Sequence, residues 1–406
     1  MRRYFGGSAS SFILTHYSDR LPWFAARNAY ALLLAERRRA GASVIDLTIS
    51  NPTEALADYP HAAIASAYGE IGDFTYQPAA LGTLQARSAI ADWSAAHKMP
   101  LAPGRIALTA STSEAYSILF KLLCNPGDEV LIPNPSYPLF EYLAKAEAVK
   151  TVPYRLAYDG AWFLDLDSVK RAISARSKAI VLVNPNNPTG SFLRKGEVDA
   201  LKSLAASHGL ALICDEVFMT YPTAKTADHV LSLIGHNEVL SFSLNGLSKA
   251  AGMPQMKLAW IVVNGPHEEA DSALEKLDLL FDNYLSVATP VQQALGSLFE
   301  IGIGIHSQID SRLLENRAAL NVFADSAVSV LPSEGGWSAI LRVPAVQTEE
   351  AWISSSLLDH GVVIQPGYFY DMPQEAYLVV SLLTQPADFS TGVGRLRELV
   401  ASSLNR

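Results

Sequence analysis

The chain has 406 residues, of which 49% are apolar and 17% are charged, and its formal net charge is −9. The length favours two domains, and the composition is typical of a folded protein and excludes a disordered chain. The negative charge, without any basic stripe, argues against nucleic acid as a partner.

The sequence also predicts where the protein works. No stretch approaches the roughly twenty apolar residues of a membrane span, and the N-terminus lacks the apolar core of a signal peptide. The two cysteines, Cys124 and Cys214, lie in apolar segments, so we expect no disulfide framework. We therefore expect a cytoplasmic protein with no membrane partner, and we assign no metal site.

The first elements are predicted from helix and strand signals. Residues 22–39 follow an irregular arm and predict a helix, because Arg37, Arg38 and Arg39 precede Gly41 and cations followed by glycine are typical of a helix end. Residues 44–49 predict a short strand that stops before Pro52, since proline cannot continue it.

A turn rich in hydroxyl groups follows the strand predicted over residues 105–109. Ser111, Thr112 and Ser113 would open the next helix, and free N–H groups at a helix N-terminus attract phosphate. Ordinary helix capping by the same hydroxyls is the simpler interpretation if the turn is considered alone.

Short apolar strands then alternate with helices. Strands are predicted over residues 129–133, 178–183, 211–215, 239–242 and 258–263, and helices over 84–97, 197–208, 268–298 and 308–327. This alternation indicates a mostly parallel sheet covered by helices on both faces. Ligands of such sheets bind at the carboxyl ends of the strands, so we expect the site in the loops after Thr109, Pro133, Val183 and Cys214.

The last hundred residues predict a second, smaller unit. Its strands are predicted over residues 337–343, 362–367 and 377–383, with a terminal helix over 392–404. The predicted fold class is α/β: a large domain with a mostly parallel sheet flanked by helices, plus a smaller α+β domain. We expect residues 1–55 to form an arm and part of the small domain, 56–290 the large domain and 291–406 the small C-terminal domain.

Lys249 is the candidate nucleophile. It follows an apolar run and lies among small residues and glycines. A lysine amine attacks aldehydes only when it is neutral, and burial or a nearby cation, such as Lys257 eight residues later, can lower its pKa enough. Considered alone, Lys249 is more simply interpreted as a surface lysine.

Three motifs give Lys249 a context. Residues 184–190 (NPNNPTG), the pair Asp215 and Glu216, and residues 245–249 (NGLSK) follow one another along the chain. Their order and spacing resemble the class I/II aminotransferases, pyridoxal-phosphate enzymes of fold type I with the aspartate-aminotransferase fold. The resemblance extends from Asp46 to the terminal helix. It implies a homodimer that moves an amino group between an amino acid and a 2-oxo acid in two half-reactions.

The resemblance implies a role for each matched residue. Lys249 would hold pyridoxal 5′-phosphate as an imine and move the proton at the substrate Cα, and Asp215 would pair with the pyridinium nitrogen. Asn187 would donate to the ring oxygen O3′, and Tyr137 would stack on the ring as a third catalytic residue. The residues implied for the cofactor phosphate are Ser111, Thr112, Ser113, Ser248, Lys257 and, from the neighbouring subunit, Tyr76. The candidate substrate residues are Ser50, Asn51, Asn187 and Arg342.

Three positions depart from the family pattern. Lys257 stands where an arginine usually grips the phosphate with two hydrogen bonds. Phe218 replaces a tyrosine that usually also donates to O3′. Val379 stands where an arginine usually binds the substrate α-carboxylate.

The valine leaves three alternatives open. The carboxylate could be held by backbone groups and Asn187, another arginine such as Arg342 could replace the lost one, or the donor could be something other than an ordinary α-amino acid. Tyr137, Phe218 and the aromatic residues at 368–370 favour a neutral or aromatic substrate side chain, although packing explains them equally well.

Two other functions are compatible with parts of the pattern. Phe218, Lys257 and Val379 leave room for a pyridoxal-phosphate lyase, decarboxylase or synthase, because one scaffold serves all these reactions. A regulator of transcription on this scaffold would need a DNA-binding domain before it, and we expect none, since about forty residues precede the first predicted strand.

Overall fold

The computed structural model describes residues 17–21, 29–223, 226–374 and 376–405. Its α-helices are, in chain order, α1 (Ala29–Arg39), α2 (Pro52–Ala55), α3 (His61–Gly69), α4 (Leu84–Ala96), α5 (Thr112–Leu123), α6 (Phe140–Ala146), α7 (Leu166–Ala172), α8 (Lys195–His208), α9 (Leu247–Ala250), α10 (His267–Asp282), α11 (Thr289–Gln293), α12 (Leu295–Ala319), α13 (Glu349–His360) and α14 (Pro386–Leu404). Its strands are β1 (Ile45–Asp46), β2 (Ile106–Thr109), β3 (Glu129–Asn134), β4 (Lys150–Tyr158), β5 (Trp162–Leu164), β6 (Ser177–Val183), β7 (Ala211–Asp215), β8 (Ser241–Gly246), β9 (Ala259–Asn264), β10 (Ser329–Val330), β11 (Ser338–Arg342), β12 (Val362–Val363), β13 (Gln365–Pro366) and β14 (Tyr377–Ser381).

The large sheet has eight strands in the order β2-β9-β8-β7-β6-β3-β4-β5. The pairs from β8 through β4 are parallel, whereas β9 is antiparallel to both of its neighbours and β5 is antiparallel to β4. The predicted mostly parallel sheet is confirmed. Because β2 runs in the same direction as β8, the carboxyl ends of β2, β3, β6, β7 and β8 lie at one edge.

Side chains of the central strands are buried on both faces of this sheet. On β6, Ala179 and Val181 pack with apolar residues of α5, α6 and α10, whereas Ile180 and Leu182 pack with residues of α7 and α8. Successive strand residues point to opposite faces, so this alternation requires a helix layer on each side. The continuous apolar strands recognised in the sequence follow from this double coverage.

A smaller unit of antiparallel strands closes the chain. Its sheet has the order β10-β11-β14-β13, and β1 pairs separately with β12. Trp352 of α13 and Phe389 of α14 are fully buried among the core residues of this unit. The predicted smaller α+β unit is confirmed.

The prediction of one helix over residues 268–298 and another over 308–327 is wrong. The first stretch contains α10, the short α11 and the start of α12, and α12 runs without interruption through position 308. The chain turns after α10, where Leu285 has a φ of +46°. Pro290 lies near the start of α11, a position that proline tolerates, whereas it would disrupt the interior of a continuous helix.

Two predicted strands have different bounds. The strand expected over residues 44–49 pairs only at Ile45–Asp46, because the Asp46 carboxylate accepts the Thr48 N–H at 2.9 Å and turns the chain. The strand expected at 239–242 is Ser241–Gly246. Its polar residues concealed it: the Ser243 hydroxyl donates to the Glu216 carboxylate at 2.9 Å, and the amide of Asn245 donates to the Glu216 carbonyl at 3.1 Å.

The predicted first and last helices are confirmed in part. Helix α1 ends at Arg39, and Gly41 has the expected left-handed φ of +71°. Residues 22–28 and the arm before residue 17 lie outside the described residues. The last helix begins at Pro386 rather than at residue 392. None of the helices described is long and apolar enough to cross a membrane.

We predict that the close approach of β8 and β9 excludes any side chain at Gly246. A Cβ there would lie 2.8 Å from the Cβ of Ala259 and 3.1 Å from its Cα. Neither of these atoms can move unless strand β9 moves as well. Gly246→Ala should therefore lower the free energy of unfolding by about 1–3 kcal/mol.

The control is Gly304→Ala in α12, where a Cβ meets nothing within 4 Å. This change should leave stability unchanged or raise it by up to about 1 kcal/mol, because alanine favours helix. Thermal unfolding of both variants measures the difference. A Gly246→Ala protein as stable as Gly304→Ala would contradict the packing described here.

Candidate active site

Lys249 lies in α9, directly after β8 ends at the edge of the sheet that also holds the carboxyl ends of β2, β3, β6 and β7. The residue is half-buried, and its Nζ lies 4.2 Å from the centre of the Trp337 ring and 5.3 Å from that of Phe218. Burial lowers the pKa of the Lys249 amine to about 8, although the negative charge of Asp215 opposes the shift. An appreciable fraction of the amine is therefore neutral near neutral pH, as a nucleophile requires.

Asp215 ends β7, beside the end of β6. One carboxylate oxygen accepts the Tyr116 hydroxyl at 3.2 Å and the other accepts the Val217 N–H at 3.2 Å. Burial raises the pKa of Asp215 to about 6, while those two hydrogen bonds and the charge of Lys249 act in the opposite direction. The carboxyl group is thus mostly ionised at neutral pH.

Tyr116 is a site residue that the sequence analysis missed. It lies on α5, four residues after Thr112, and its side chain is buried. Residues four apart share one helix face. The spacing from the hydroxyl-rich turn was therefore a signal that could have found it.

Asn187 lies in the loop after β6 and is half-buried. Its Oδ1 accepts the Ser338 hydroxyl at 3.3 Å, which leaves the amide N–H groups for a ligand. The same loop contacts the loop after β3, because the amide of Asn186 donates to the Ser136 hydroxyl at 3.3 Å. Tyr137 follows Ser136, and its side chain is 46% exposed at this edge.

The hydroxyl-rich turn has the geometry expected from its sequence. Ser111 caps α5, and its hydroxyl accepts the Glu114 N–H at 3.1 Å. Thr112 and Ser113 form the first turn and are half-buried. Capping by Ser111 and anion binding are compatible, because the N–H groups of a first helical turn lack partners within the helix.

Ser248 and Lys257 lie beside two backbone segments that are hydrogen-bonded to each other. Leu247, which precedes Ser248, donates its N–H to the carbonyl of Leu258, which follows Lys257, at 3.0 Å. Ser248 is half-buried and Lys257 is exposed. Lys257 has a left-handed φ of +50°.

Four predicted residues make no hydrogen bond to Lys249, Asp215 or Asn187 among the residues that the structure describes. Tyr76 is 69% exposed in the single chain, and Ser50 is exposed as well. The Asn51 side chain caps α2 by accepting the Thr53 N–H at 3.2 Å. Arg342 is exposed and lies four residues beyond Ser338 on β11, which is about 13 Å along a strand.

Val379, at the position where an arginine was expected, is buried in β14 and 1% exposed. Its cross-strand partners are Ile340 and Gln365. Arg395, one of the next arginines along the chain, is engaged elsewhere, since its guanidinium donates to the His360 carbonyl at 2.9 Å. The departure seen in the sequence is therefore a real loss of charge at this point of the sheet.

Trp337 and Tyr221 also pack around Lys249. The Trp337 ring contacts both Phe218 and Tyr221 in edge-to-face geometry, at 5.4 and 5.1 Å between ring centres. The Tyr221 hydroxyl donates to the Lys249 carbonyl at 2.6 Å. Tyr221 and Trp337 therefore fix the backbone and the surroundings of Lys249.

The residues present fit pyridoxal phosphate. The cofactor needs an amine for its aldehyde, an acid for its ring nitrogen, a donor for its phenolic oxygen and an anion site for its phosphate. Lys249, Asp215, Asn187 and the N-terminus of α5 offer these groups from loops at one edge of the sheet. The raised pKa of Asp215 marks a buried carboxylate that a cationic ring nitrogen would stabilise.

The comparisons with known proteins agree with this chemistry. The family model for aminotransferase class I and II matches residues 42–387. The chain is 32% identical over 211 residues to the glutamate-pyruvate aminotransferase AlaA of Haemophilus influenzae, a match over 50% of this chain and about half, 51%, of that protein. It is 25% identical over 374 residues to AlaA of Escherichia coli, over 89% of this chain and 91% of that one.

The fold is also found among solved structures. An alanine aminotransferase from Pyrococcus furiosus matches with a TM-score of 0.84 at 22% identity, over 95% of this chain and 100% of that one. A lyase, decarboxylase or synthase is not favoured, because the similar proteins of Haemophilus influenzae and Escherichia coli are aminotransferases. The chain belongs to the class I and II aminotransferase family, and it is a pyridoxal-phosphate-dependent aminotransferase.

Proposed function

We propose that this enzyme transfers the amino group of a neutral amino acid, with alanine as the first candidate, to a 2-oxo acid at a site centred on Lys249. The observation that carries the proposal is the half-buried amine of Lys249, with a pKa near 8, beside the carboxylate of Asp215. The names of the relatives, glutamate-pyruvate and alanine aminotransferases, support alanine as substrate.

Each residue has a task that follows from its position. Bound pyridoxal phosphate supplies an aldehyde and a ring that accepts electrons. Lys249 would bind the aldehyde carbon through its amine and, once displaced by the substrate amine, move the proton at the substrate Cα. Asp215 would hold the proton on the ring nitrogen. Asn187 would donate to the ring oxygen, and Tyr137 would cover one face of the ring.

The phosphate would be held at the N-terminus of α5 by Ser111, Thr112 and Ser113, together with Ser248 and Lys257. Lys257 brings a point charge rather than a planar fork, so it adds attraction with little geometric control. We also propose a homodimer in which Tyr76 reaches the phosphate in the other protomer. The exposure of Tyr76 in the single chain, 69%, supports this role.

The substrate side chain would meet neutral surroundings. Phe218 packs beside Lys249, while Tyr368 and Phe369 are 45% and 43% exposed. Ser50 and Asn51 remain candidates for contact with substrate from the loop before α2. A second carboxylate on the substrate would be buried here without a cation from the described residues, which is unfavourable.

We retain the proposed division into residues 1–55, 56–290 and 291–406 as arm, large domain and small domain. We also propose that the enzyme works in the cytoplasm. The free thiols of Cys124 and Cys214 are consistent with a reducing compartment.

Lys249→Ala removes the reactive amine. We predict a fall in the rate of amino transfer from alanine of about 10²–10⁴-fold, the usual contribution of a positioned proton-transfer group. The matched control is Lys257→Ala, which removes an exposed cation eight residues away. This variant should bind the cofactor more weakly yet stay within about tenfold of the wild-type rate at saturating cofactor. A Lys249→Ala enzyme with more than a tenth of wild-type activity would refute the assignment.

Asp215→Asn should stabilise the cofactor-free protein in a pH-dependent way. Burial raises the pKa of Asp215 from 3.8 to about 6, so its ionisation destabilises the fold. The penalty is absent below pH 3.8, grows between pH 3.8 and about 6, and reaches about 3 kcal/mol at neutral pH, at 1.36 kcal/mol per pH unit. The melting temperature of Asp215→Asn relative to wild type should therefore rise from pH 4 to pH 7.

Asp165→Asn is a control of opposite sign. Hydrogen bonds from Arg155 and the Ser168 N–H lower the pKa of Asp165, so its charge stabilises the fold above the ordinary pKa of an aspartate. That variant should lose stability at neutral pH and lose less at pH 4. Equal responses of the two variants to pH would contradict the electrostatic description of Asp215.

The proposal also predicts which donors react. We expect kcat/KM for alanine or phenylalanine to exceed that for aspartate by at least about tenfold, since a second carboxylate would be buried unpaired. Initial rates with each donor and one common 2-oxo acid measure this ratio. A preference for aspartate would contradict the neutral pocket.

A further inference from the structure

Gln365 lies next to the position that lost its arginine. It pairs with Val379 on one side of β14, and Val379 pairs with Ile340 on the other side. Directly paired residues project from the same face of a sheet. The adjacent row on that face contains Ser338, whose hydroxyl donates to Asn187 at 3.3 Å. Gln365 therefore projects from the face of the small sheet that is turned toward Asn187.

The amide of Gln365 is held in one orientation. The Tyr370 hydroxyl donates to its Oε1. A glutamine amide whose oxygen is engaged presents two N–H donors at Nε2. Within the described residues these donors have no protein partner, and Gln365 is half-buried, so they are available to a ligand.

Tyr370 is itself fixed beside the cofactor loop. Its side chain is 5% exposed, and its carbonyl accepts the Ser136 N–H at 3.1 Å, one residue before Tyr137. Burial raises the pKa of Tyr370, so its hydroxyl keeps its proton and can donate at neutral pH. The loop that carries Tyr137 is thus connected through Tyr370 to the amide of Gln365.

Asn187 and Gln365 share one arrangement. In each, a neighbouring hydroxyl occupies the amide oxygen and leaves the N–H groups free. Gln365 pairs directly with Val379, and Asn187 contacts the same face of the small sheet through Ser338. Neutral N–H donors bind carboxylate oxygens, although more weakly than the paired donors of a guanidinium.

We propose that Gln365, oriented by Tyr370, binds the α-carboxylate of the amino acid and the 2-oxo acid in place of the missing arginine. The inference rests on the proposed function, since it concerns the substrates of that reaction. Arg342 is the rival ligand. It lies one row beyond Ile340 on the same face, opposite Tyr377, and is exposed to solvent.

The test compares a substrate with and without the carboxylate. Alanine and ethylamine differ only in that group. Gln365→Ala should raise KM for alanine about tenfold or more and leave the rate with ethylamine within twofold. Gln365→Glu keeps the shape and adds a negative charge, so it should raise KM for alanine further, by about a hundredfold. Tyr370→Phe, which frees the amide to rotate, should raise KM for alanine with little change in kcat.

The binding of a carboxylate to Gln365 can also be measured without amino transfer. Calorimetric titration of the holoenzyme with propionate, which has a carboxylate and no amine, should give a Kd that rises about tenfold in Gln365→Ala. The control is Gln385→Ala. Gln385 is also half-buried, but its amide N–H donates to the Ala55 carbonyl at 2.7 Å and is not available to a ligand. The affinity for propionate should therefore not change in Gln385→Ala.

The outcomes are distinct. Unchanged alanine KM and propionate affinity in both Gln365 variants would overturn the proposal, and a tenfold loss in Arg342→Ala alone would assign the carboxylate to Arg342. A wild-type holoenzyme that binds propionate through Gln365 but transfers no amino group from alanine would refute the proposed function and leave the carboxylate site standing.

Discussion

The site depends on two opposite charges held where water is scarce. Burial disfavours the charged forms of both Lys249 and Asp215, lowering the pKa of the amine to about 8 and raising that of the carboxyl to about 6. Their mutual attraction limits both shifts. At neutral pH the pair is mostly charged, with a useful fraction of neutral amine. The arrangement destabilises the fold and prepares Lys249 for its reaction, a trade common at active sites.

The large sheet holds the residues of this arrangement in place. The parallel ladder from β6 to β8 places Val183 beside Asp215 and Asp215 beside Leu244. The loops that follow these strands therefore emerge side by side with little freedom. Glu216, fully enclosed next to Asp215, supports that edge by accepting hydrogen bonds from Ser232 and Ser243. The fold thus converts short-range motifs into one cluster.

The sequence predicted the parts of this site that depend on neighbours along the chain. The motifs around Asn187, Asp215 and Lys249 are local, and parallel β-strands bring their ends together by rule. Contacts between residues that are far apart in the chain were not predicted. Tyr116 reaches Asp215 from another layer, and Gln365 faces the site only because β13 pairs with β14 in one register. The break in the helix after Asp282 was missed and the bounds of strand β8 were misplaced, because apolar periodicity describes neither proline placement nor buried hydrogen bonds.

In the proposal for Gln365, neutral amides beside Val379 recognise the carboxylate through their orientation more than through charge. That proposal presupposes that Lys249 is the reacting amine. The most direct test is the pH dependence of reductive methylation of Lys249 in the cofactor-free protein, followed residue by residue with mass spectrometry. The account predicts half-maximal reactivity near pH 8. Half-maximal reactivity near pH 10.5, the ordinary lysine value, would contradict it.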